Sequence, residues 1–420
     1  MKSVILNEVF AEFCESRVHL DGLLSKVDPA RKHKVARLLG AFLRRPWAIS
    51  RHFGVELASG SREFFDLGFL RLKKHSGIHE TLQHLWAKGE GIPPEGTRDD
   101  FPAAMVSAWE ADWGATDAEE LCRLLSQDPL TTLRLHRKCF KEDGGLVPEI
   151  EEWLGSAELP KSRTGNLMAS ARVFRGYAAV QQNRFFKEGY FEIQDEGSQL
   201  MAAFSLFPHR IAPVLRDRPV TRKLEASVFP STIRSVPLDF IDACAGAGGK
   251  TLAVSDLMQG RGRIFAYDLY ESKIRGLKAR VARSGDRNVK ALLLERDAGE
   301  GVSVFEGSAD VVLVDAPCSG LGVARRNPDV KWNRKPAAKS SAIQERTVRE
   351  LQDSVLKTYS GLVRPGGRLV YGVCTFSKDE TSSRVSGFLE GREGFRLEAQ
   401  GYTGPRDTDG FYMASLVRDA

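Results

Sequence analysis

Two cysteines and an aspartate follow hydrophobic strands in the last third of the chain. Asp315 and then Cys318 follow the apolar run 311–314, and Cys374 follows a second apolar run at 368–373. In an open α/β sheet, ligands bind at the carboxyl ends of the strands. A thiolate there can attack a bound substrate, and a carboxylate can hold one. The spacing therefore predicts covalent chemistry at neighbouring strand ends rather than packing alone.

A run of small residues after an earlier strand predicts a ligand-binding loop. Its members are Cys244, Ala245, Gly246, Ala247, Gly248, Gly249 and Lys250. Small residues let the backbone approach a ligand closely, and the helix that follows offers its N-terminal amides. The end of the run mimics a phosphate-binding P-loop, but that motif requires a glycine where this chain has Cys244. A tight strand-to-helix turn without a ligand remains an alternative.

Two aspartates at the next strand ends favour a nucleoside cofactor. Asp268 lies about twenty residues after the glycines, where a carboxylate can bridge two ribose hydroxyls. Asp297 follows the third strand, where it can accept a hydrogen bond from an adenine amino group. Because the loop lacks the full glycine pattern that cradles a pyrophosphate, these residues favour S-adenosylmethionine over a dinucleotide.

The elements that must position these residues alternate regularly from residue 238 onward. The predicted strands are Leu238–Ala243, Arg263–Asp268, Val289–Glu295, Ala309–Val314 and Arg368–Val373. The clearest helices between them are Tyr270–Ser284 and one near Ala338–Leu362. This alternation predicts an α/β fold with a doubly wound, mostly parallel, Rossmann-like sheet. Phe411–Val417 is predicted to add a final edge strand.

Two smaller regions precede this sheet. Residues 1–90 are predicted to form a helical domain, because apolar residues such as Val35, Leu38 and Phe42 recur at helical spacing. The glycines and prolines of residues 89–96 predict a linker. Strands at Leu130–Leu135 and Gly189–Gln194 predict a small α/β module at residues 100–190, which leaves residues 191–420 for the catalytic domain. Basic residues in the first region and in the module make both candidates for nucleic-acid binding.

Composition limits the class of protein. The net charge of +6 permits a polyanionic partner without requiring one. Six cysteines without any Cys-x-x-Cys pair indicate neither a zinc cluster nor a disulfide scaffold, and favour the reduced thiols of a cytoplasmic protein. No window approaches the roughly eighteen apolar residues of a membrane-spanning helix. We expect a cytoplasmic monomer without a metal.

Three motifs resemble the RsmB/Sun-type RNA (cytosine-C5) methyltransferases. They are Cys244–Thr251, Asp315–Gly320 and Tyr371–Phe376. Arg326–Trp332 and Ile193–Gln199 also resemble segments of that family. The resemblance is specific from residue 190 onward and weaker before it. It implies an S-adenosylmethionine-dependent enzyme that methylates carbon 5 of a cytosine in RNA.

The resemblance also implies a role for each residue at the strand ends. Cys374 would add to carbon 6 of the base, which makes carbon 5 nucleophilic. Asp315 would hydrogen-bond the base at N3 and its amino group and stabilise the charge that develops. Cys318 would assist loss of the hydrogen on carbon 5 and product release. Val373 stands where the family usually has threonine, a departure that leaves the nucleophile in place.

The RNA-contacting residues are expected in the loop after the Pro–Cys motif. Arg325, Arg326, Lys331 and Trp332 could hold phosphates and pack against the nucleotide, with a core role for Trp332 as the alternative. The additional helical region favours small-subunit ribosomal RNA as the substrate, by analogy of domain order. A transfer RNA methyltransferase and a non-catalytic RNA-binding assembly factor remain alternative functions.

Overall fold

The described part of the chain forms two compact units. The computed structural model describes residues 8–13, 20–52, 81–82, 84–85, 87, 96–156, 162–174, 180–220, 238–294, 306–332, 347–406 and 408–420. The N-terminal unit comprises residues 1–128 and 319–346, and the catalytic unit comprises residues 129–318 and 347–420. These bounds differ from the predicted domains, because the helices between residues 103 and 125 join the N-terminal unit. The predicted linker lies almost wholly outside the described residues.

Helices occur in both units. The α-helices are α1 (Leu20–Leu24), α2 (Pro29–Arg44), α3 (Pro46–His52), α4 (Ala103–Trp113), α5 (Ala115–Leu125), α6 (Pro148–Gly155), α7 (Arg184–Lys187), α8 (Glu196–Leu206), α9 (Pro208–Ile211), α10 (Gly249–Leu257), α11 (Glu271–Ser284), α12 (Val348–Ser360) and α13 (Ser382–Glu390). Short 3₁₀ helices lie at Arg98–Asp100, Arg137–Cys139, Val180–Gln182, Ala212–Val214, Leu321–Val323, Pro328–Lys331 and Lys378–Glu380. Among the helices described, none is long and apolar enough to cross a membrane.

The strands that the structure describes belong to the catalytic unit. They are β1 (Thr131–Leu135), β2 (Ser162–Thr164), β3 (Ala171–Phe174), β4 (Phe191–Ile193), β5 (Asp239–Asp242), β6 (Arg263–Asp268), β7 (Val289–Leu293), β8 (Ala309–Asp315), β9 (Val363–Val373), β10 (Phe395–Thr403) and β11 (Phe411–Arg418). Strands β1 to β4 form one sheet and strands β5 to β11 form a second.

Helix α2 organises the core of the N-terminal unit. Its apolar residues recur at intervals of three and four positions and are buried, namely Val35, Leu38, Leu39, Phe42 and Leu43. This periodicity confirms the helix predicted from the sequence. At the end of α2, the guanidinium groups of Arg44 and Arg45 both pair with the Asp128 carboxylate, at 2.9 and 3.1 Å.

The smaller sheet is antiparallel, with the order β2-β3-β1-β4. Its core contains Trp153 of α6, whose ring stacks on Phe191 of β4 at 4.9 Å between centroids. The module packs against α11 and the turn that follows it through a largely buried ion cluster. Arg137 bonds Asp286 at 2.5 Å, and Arg283 of α11 pairs with Glu192 of β4. The cluster fixes the module to the helices that flank the large sheet.

The larger sheet confirms the predicted doubly wound fold. Its order is β10-β11-β9-β8-β5-β6-β7, and strands β5 to β9 are mutually parallel. From β5 the chain first winds outward through β6 and β7, and it then returns to place β8 on the other side of β5. The carboxyl ends of β5 and β8 therefore flank a topological switch point, where ligands bind in this class of sheet.

The prediction of β11 as an edge strand is wrong. β11 lies between β9 and β10 and is antiparallel to both, while the unpredicted strand β10 forms the edge. Seven of the eight residues of β11 are buried, because an interior strand is covered on both faces. The first half of β10 is only partly buried, with Arg396 and Leu397 exposed, and it lacks the regular alternation that would have revealed a strand.

Candidate active site

The ends of β8 and β9 bring the two predicted cysteines together. The strands are parallel neighbours, with Asp315 in register with Gly372. The amide of Ala316 donates to the Gly372 carbonyl at 2.9 Å, so the pairing continues one residue beyond β8. The Sγ atoms of Cys318 and Cys374 lie 3.3 Å apart although 56 residues separate them in sequence. Both thiols are partly exposed, as a nucleophile that must reach a substrate requires.

Lys250 lies against Asp315, a partnership that sequence analysis missed. The Lys250 Nζ donates to Asp315 Oδ2 at 2.5 Å, and it lies 5.4 Å above the centroid of the Phe411 ring. Burial lowers the pKa of Lys250, but the charge and hydrogen bond of Asp315 outweigh burial, and the pKa is raised above its usual value. The ammonium group therefore stays charged and holds the carboxylate at the strand end.

The glycine loop after β5 has the backbone shape that its residues predict. Gly246 and Gly248 have φ angles of 54° and 87°, in the left-handed region that favours glycine. A Cβ on Gly248 would lie 2.1 Å from Cδ1 of Leu277, whereas a Cβ on Gly246 would meet open space. The loop is thus pressed onto α11 on one side and is open on the other.

Asp268 ties this loop to the end of β6. Its Oδ2 accepts from the Gly246 amide at 2.9 Å, and its Oδ1 accepts from the Tyr270 amide at 2.8 Å. Each carboxylate oxygen has a second lone pair, so Asp268 remains able to accept from two hydroxyl groups. Leu269 and Tyr270, which follow it, expose 36% and 42% of their surface and offer an apolar face beside the carboxylate. Carboxylate, open glycine backbone and apolar face together fit the ribose and adenine of a nucleoside cofactor.

Cys244 differs from the other two strand-end cysteines. Burial raises the pKa of the Cys244 thiol well above its usual value, and the carboxylates of Asp315 and Asp242 raise it further. A thiol held in this way is a poor nucleophile. Asp242, which ends β5, is buried and accepts from Thr251 Oγ1 at 2.6 Å. Burial raises the pKa of Asp242 to about 7.

The loop after the Pro–Cys motif belongs to the core of the N-terminal unit. Lys331 is 1% exposed, and its Nζ donates to the carbonyls of Arg44 and Asp100 at 2.8 and 2.9 Å. The buried Trp332 donates from Nε1 to the Leu43 carbonyl at 3.0 Å. This burial corrects the expectation that Lys331 and Trp332 are RNA contacts, and it gives Trp332 the core role that was the alternative.

The remaining predicted site residues differ in their burial. Arg325 is buried, and its carbonyl accepts from the Arg44 guanidinium, so we do not propose it as a phosphate contact. Arg326 is half-buried. Asp297 lies outside the described residues. Among the described residues, no cluster of three or more His, Cys, Asp or Glu side chains is arranged to hold a metal.

A buried glutamine behind the thiol loops escaped sequence analysis. Gln352 lies on the buried face of α12 with Leu356 and Tyr359, and its side chain bonds the backbone next to Cys318. A polar residue in register with the apolar residues of a helix was the available signal.

Comparison with known proteins relates the chain to a family of ribosomal RNA methyltransferases. A family model described as 16S rRNA methyltransferase RsmB/F matches residues 237–416. Ribosomal RNA small subunit methyltransferase B of Enterobacter sp. is 30% identical over 340 residues, which cover 78% of this chain and 67% of the relative. The same-named protein of Pseudomonas putida is 27% identical over 395 residues, which cover 85% and 80%. The crystal structure of PH0851 matches with a TM-score of 0.66 and 19% identity over 97% of both chains, which shows a shared fold.

Proposed function

The chain belongs to the RsmB/F family, and we propose that it methylates carbon 5 of a cytosine in 16S-type ribosomal RNA through a covalent Cys374–cytosine adduct. As a member of this family it is an S-adenosylmethionine-dependent RNA methyltransferase. One observation carries the covalent mechanism: the Sγ atoms of Cys318 and Cys374 lie 3.3 Å apart at the strand end next to Asp315. The names of the family and of its relatives support ribosomal RNA as the substrate.

The proposed reaction starts with Cys374. Its thiolate adds to carbon 6 of the cytosine, and the electron pair of the double bond makes carbon 5 nucleophilic. Asp315 binds the base by accepting from its amino group, and the Lys250 ammonium stabilises the negative charge that the ring gains. Bound S-adenosylmethionine supplies the electrophilic methyl group. These charges are fixed before the base arrives, so little reorganisation is needed in the transition state.

The second half of the reaction requires release of the enzyme. After carbon 5 has gained a methyl group, its proton must leave so that the double bond re-forms and Cys374 is expelled as a thiolate. Cys318 lies within 3.3 Å of Cys374 and is proposed to assist this step. Two neighbouring thiols thus divide addition and release between them.

The cofactor is proposed to bind along the ends of β5 and β6. The open backbone at Gly246 allows close approach, and Asp268 is held by two backbone amides in position to accept from hydroxyl groups. The other proposed contacts come from the rest of the loop, Cys244 to Lys250, and from Asp315 and Asp297. The bond from Lys250 of this loop to Asp315, three residues before Cys318, would couple the cofactor end of the site to the base.

Substitution of each thiol separates the two steps. Cys374→Ala is expected to lower turnover by at least about a thousandfold, because carbon 5 is then not activated. Cys318→Ala is expected to accumulate a covalent protein–RNA adduct, seen as a slow band on a denaturing gel. The double variant should lose the band, since no thiolate remains to form the adduct. Turnover by Cys374→Ala would contradict the assignment of the nucleophile.

The substrate is tested in cells. Bisulfite sequencing of total RNA with and without the gene should reveal one 5-methylcytosine in 16S rRNA that depends on this protein. A lost methylcytosine in a transfer RNA would replace the proposed substrate. An unchanged methylation pattern would favour a role in assembly without catalysis.

A further inference from the structure

A buried glutamine contacts the loop that carries Cys318. Gln352 is 0% exposed and lies on the face of α12 that packs against the large sheet. Its Nε2 donates to the carbonyl of Pro317 at 2.9 Å. Pro317 immediately precedes Cys318, so this bond fixes the backbone from which the thiol projects.

The same amide group leads to the loop that carries Cys374. Gln352 Nε2 also donates to Oε2 of Glu380 at 3.2 Å. The backbone carbonyl of Glu380 accepts from the Tyr371 hydroxyl at 2.7 Å, and Tyr371 lies on β9 three residues before Cys374. Burial raises the pKa of Tyr371 well above its usual value, so the hydroxyl remains a donor. Gln352 thus connects the two thiol loops through Pro317 on one side and Glu380 on the other.

The chemistry of the two partners fixes the orientation of the amide. The Nε2 of Gln352 has two hydrogens, and it faces a carbonyl and a carboxylate, which are both acceptors. If the amide were reversed, Oε1 would face the Pro317 carbonyl and the Glu380 carboxylate, and neither of these acceptors could donate to it. The Oε1 of Gln352 is buried without a hydrogen-bond partner among the described residues. An unpaired buried acceptor such as this Oε1 is costly. The two bonds that Nε2 donates are therefore the reason for an amide at this position.

We propose that Gln352 is a positioning residue that holds Cys318 in register with Cys374 for the release step. This rests on the proposed function, in which Cys318 assists release. Addition and methyl transfer need the Cys374 thiolate, whereas release needs both thiols at their present separation. Loss of the two bonds that Gln352 donates to Pro317 and Glu380 therefore slows release more than it slows methyl transfer.

The test replaces the two donors without changing the shape of the side chain. Gln352→Met is expected to keep the single-turnover rate of methyl transfer within about twofold of the wild type. Its multiple-turnover rate is expected to fall about tenfold, the kinetic equivalent of one lost hydrogen bond to a buried acceptor. The covalent adduct should accumulate on a denaturing gel, as in Cys318→Ala but to a smaller extent.

A second buried glutamine supplies the matched control. Gln199 is also 0% exposed, and its amide bonds Ser170 and the Gln194 carbonyl, in contacts that do not involve the thiol loops. Gln199→Met should lower thermal stability to a similar degree and leave the adduct at the wild-type level. Equal adduct in the two variants, or equal losses of single- and multiple-turnover rates in Gln352→Met, would overturn the inference.

A measurement on the free protein separates this inference from the proposed function. Diamide takes up two hydrogens from a pair of thiols as their S–S bond forms, so the rate of Cys318–Cys374 coupling reports their alignment without RNA. In Gln352→Met, the Cys318–Cys374 disulfide should form several-fold more slowly than in the wild type, as followed by peptide mapping. An unchanged rate would overturn the proposed positioning role of Gln352. If Cys318→Ala traps no adduct, the proposed role of Cys318 in release is wrong. Slower disulfide formation in Gln352→Met would still support the positioning role of Gln352.

Discussion

At the scale of single residues, the site depends on one ion pair. Lys250 and Asp315 are 65 residues apart in sequence, and the ammonium group in the first turn of α10 meets the carboxylate at the end of β8 at 2.5 Å. Asp315 raises the pKa of Lys250 above its usual value, so the ammonium group stays charged. Because the Lys250 side chain is only 13% exposed, solvent screens the pair weakly. The lysine thus holds the carboxylate that the proposed reaction uses to bind the base.

Removal of the lysine charge should damage catalysis more than it damages the fold. Lys250→Met is expected to lower kcat by about a hundredfold or more, because Asp315 loses the group that orients it and the base loses a stabilising charge. Radioactive methyl transfer to RNA measures the effect. The exposed Lys357 of α12 provides the control, and Lys357→Met should leave kcat unchanged. Wild-type kcat in Lys250→Met would show that the ion pair serves the fold alone.

At the scale of elements, the turn from β5 into α10 depends on a close approach. Gly248 caps α10 in a left-handed conformation and lies against Leu277 of α11. The loop can therefore neither change its backbone shape nor accept a side chain at this position. Gly285 ends α11 in a similar conformation, with a φ of 79°, but a Cβ there meets no atom within 4 Å.

The two glycines form a matched pair for substitution. Gly285→Ala should lower the free energy of unfolding by about 1 kcal/mol, which is the cost of the left-handed conformation. Gly248→Ala should cost about 1–3 kcal/mol more, because the added methyl group also overpacks Leu277. Urea unfolding of both variants measures the difference. Equal losses would indicate that the contact with α11 relaxes at no cost.

At the scale of the whole molecule, the chain passes from the catalytic unit to the N-terminal unit directly after Cys318. Residues 319–332 then contribute Lys331 and Trp332 to the core of the N-terminal unit. Burial lowers the pKa of Lys331 to about 7, which is consistent with two donated bonds to carbonyls in a core. A segment that reads as a basic loop near the active site is therefore part of the helical core.

Substitution of Trp332 distinguishes a core residue from an RNA contact. Trp332→Ala is expected to lower the free energy of unfolding of the N-terminal unit by about 3–5 kcal/mol, as for a large buried aromatic residue. Trp332→Phe retains much of the ring and should lose less, mainly the bond to the Leu43 carbonyl. Chemical unfolding and RNA titration of the same proteins measure stability and binding. Unchanged stability with weaker RNA binding would restore the RNA-contact role.

The sequence by itself determined the class of sheet, the glycine loop and the residues at the strand ends. These features are local, because strand periodicity and the motifs at Asp315, Cys318 and Cys374 are readable over a few residues. Tertiary structure alone decided that Lys250 meets Asp315 and that Gln352 bonds both thiol loops. It also set the 3.3 Å distance between the two Sγ atoms, which the sequence had placed only at neighbouring strand ends. It also decided that Lys331 and Trp332 are buried, since a basic loop can serve a surface or a core. The physical reason is that these pairings span 28 to 65 residues and depend on strand order and burial, which no local pattern encodes.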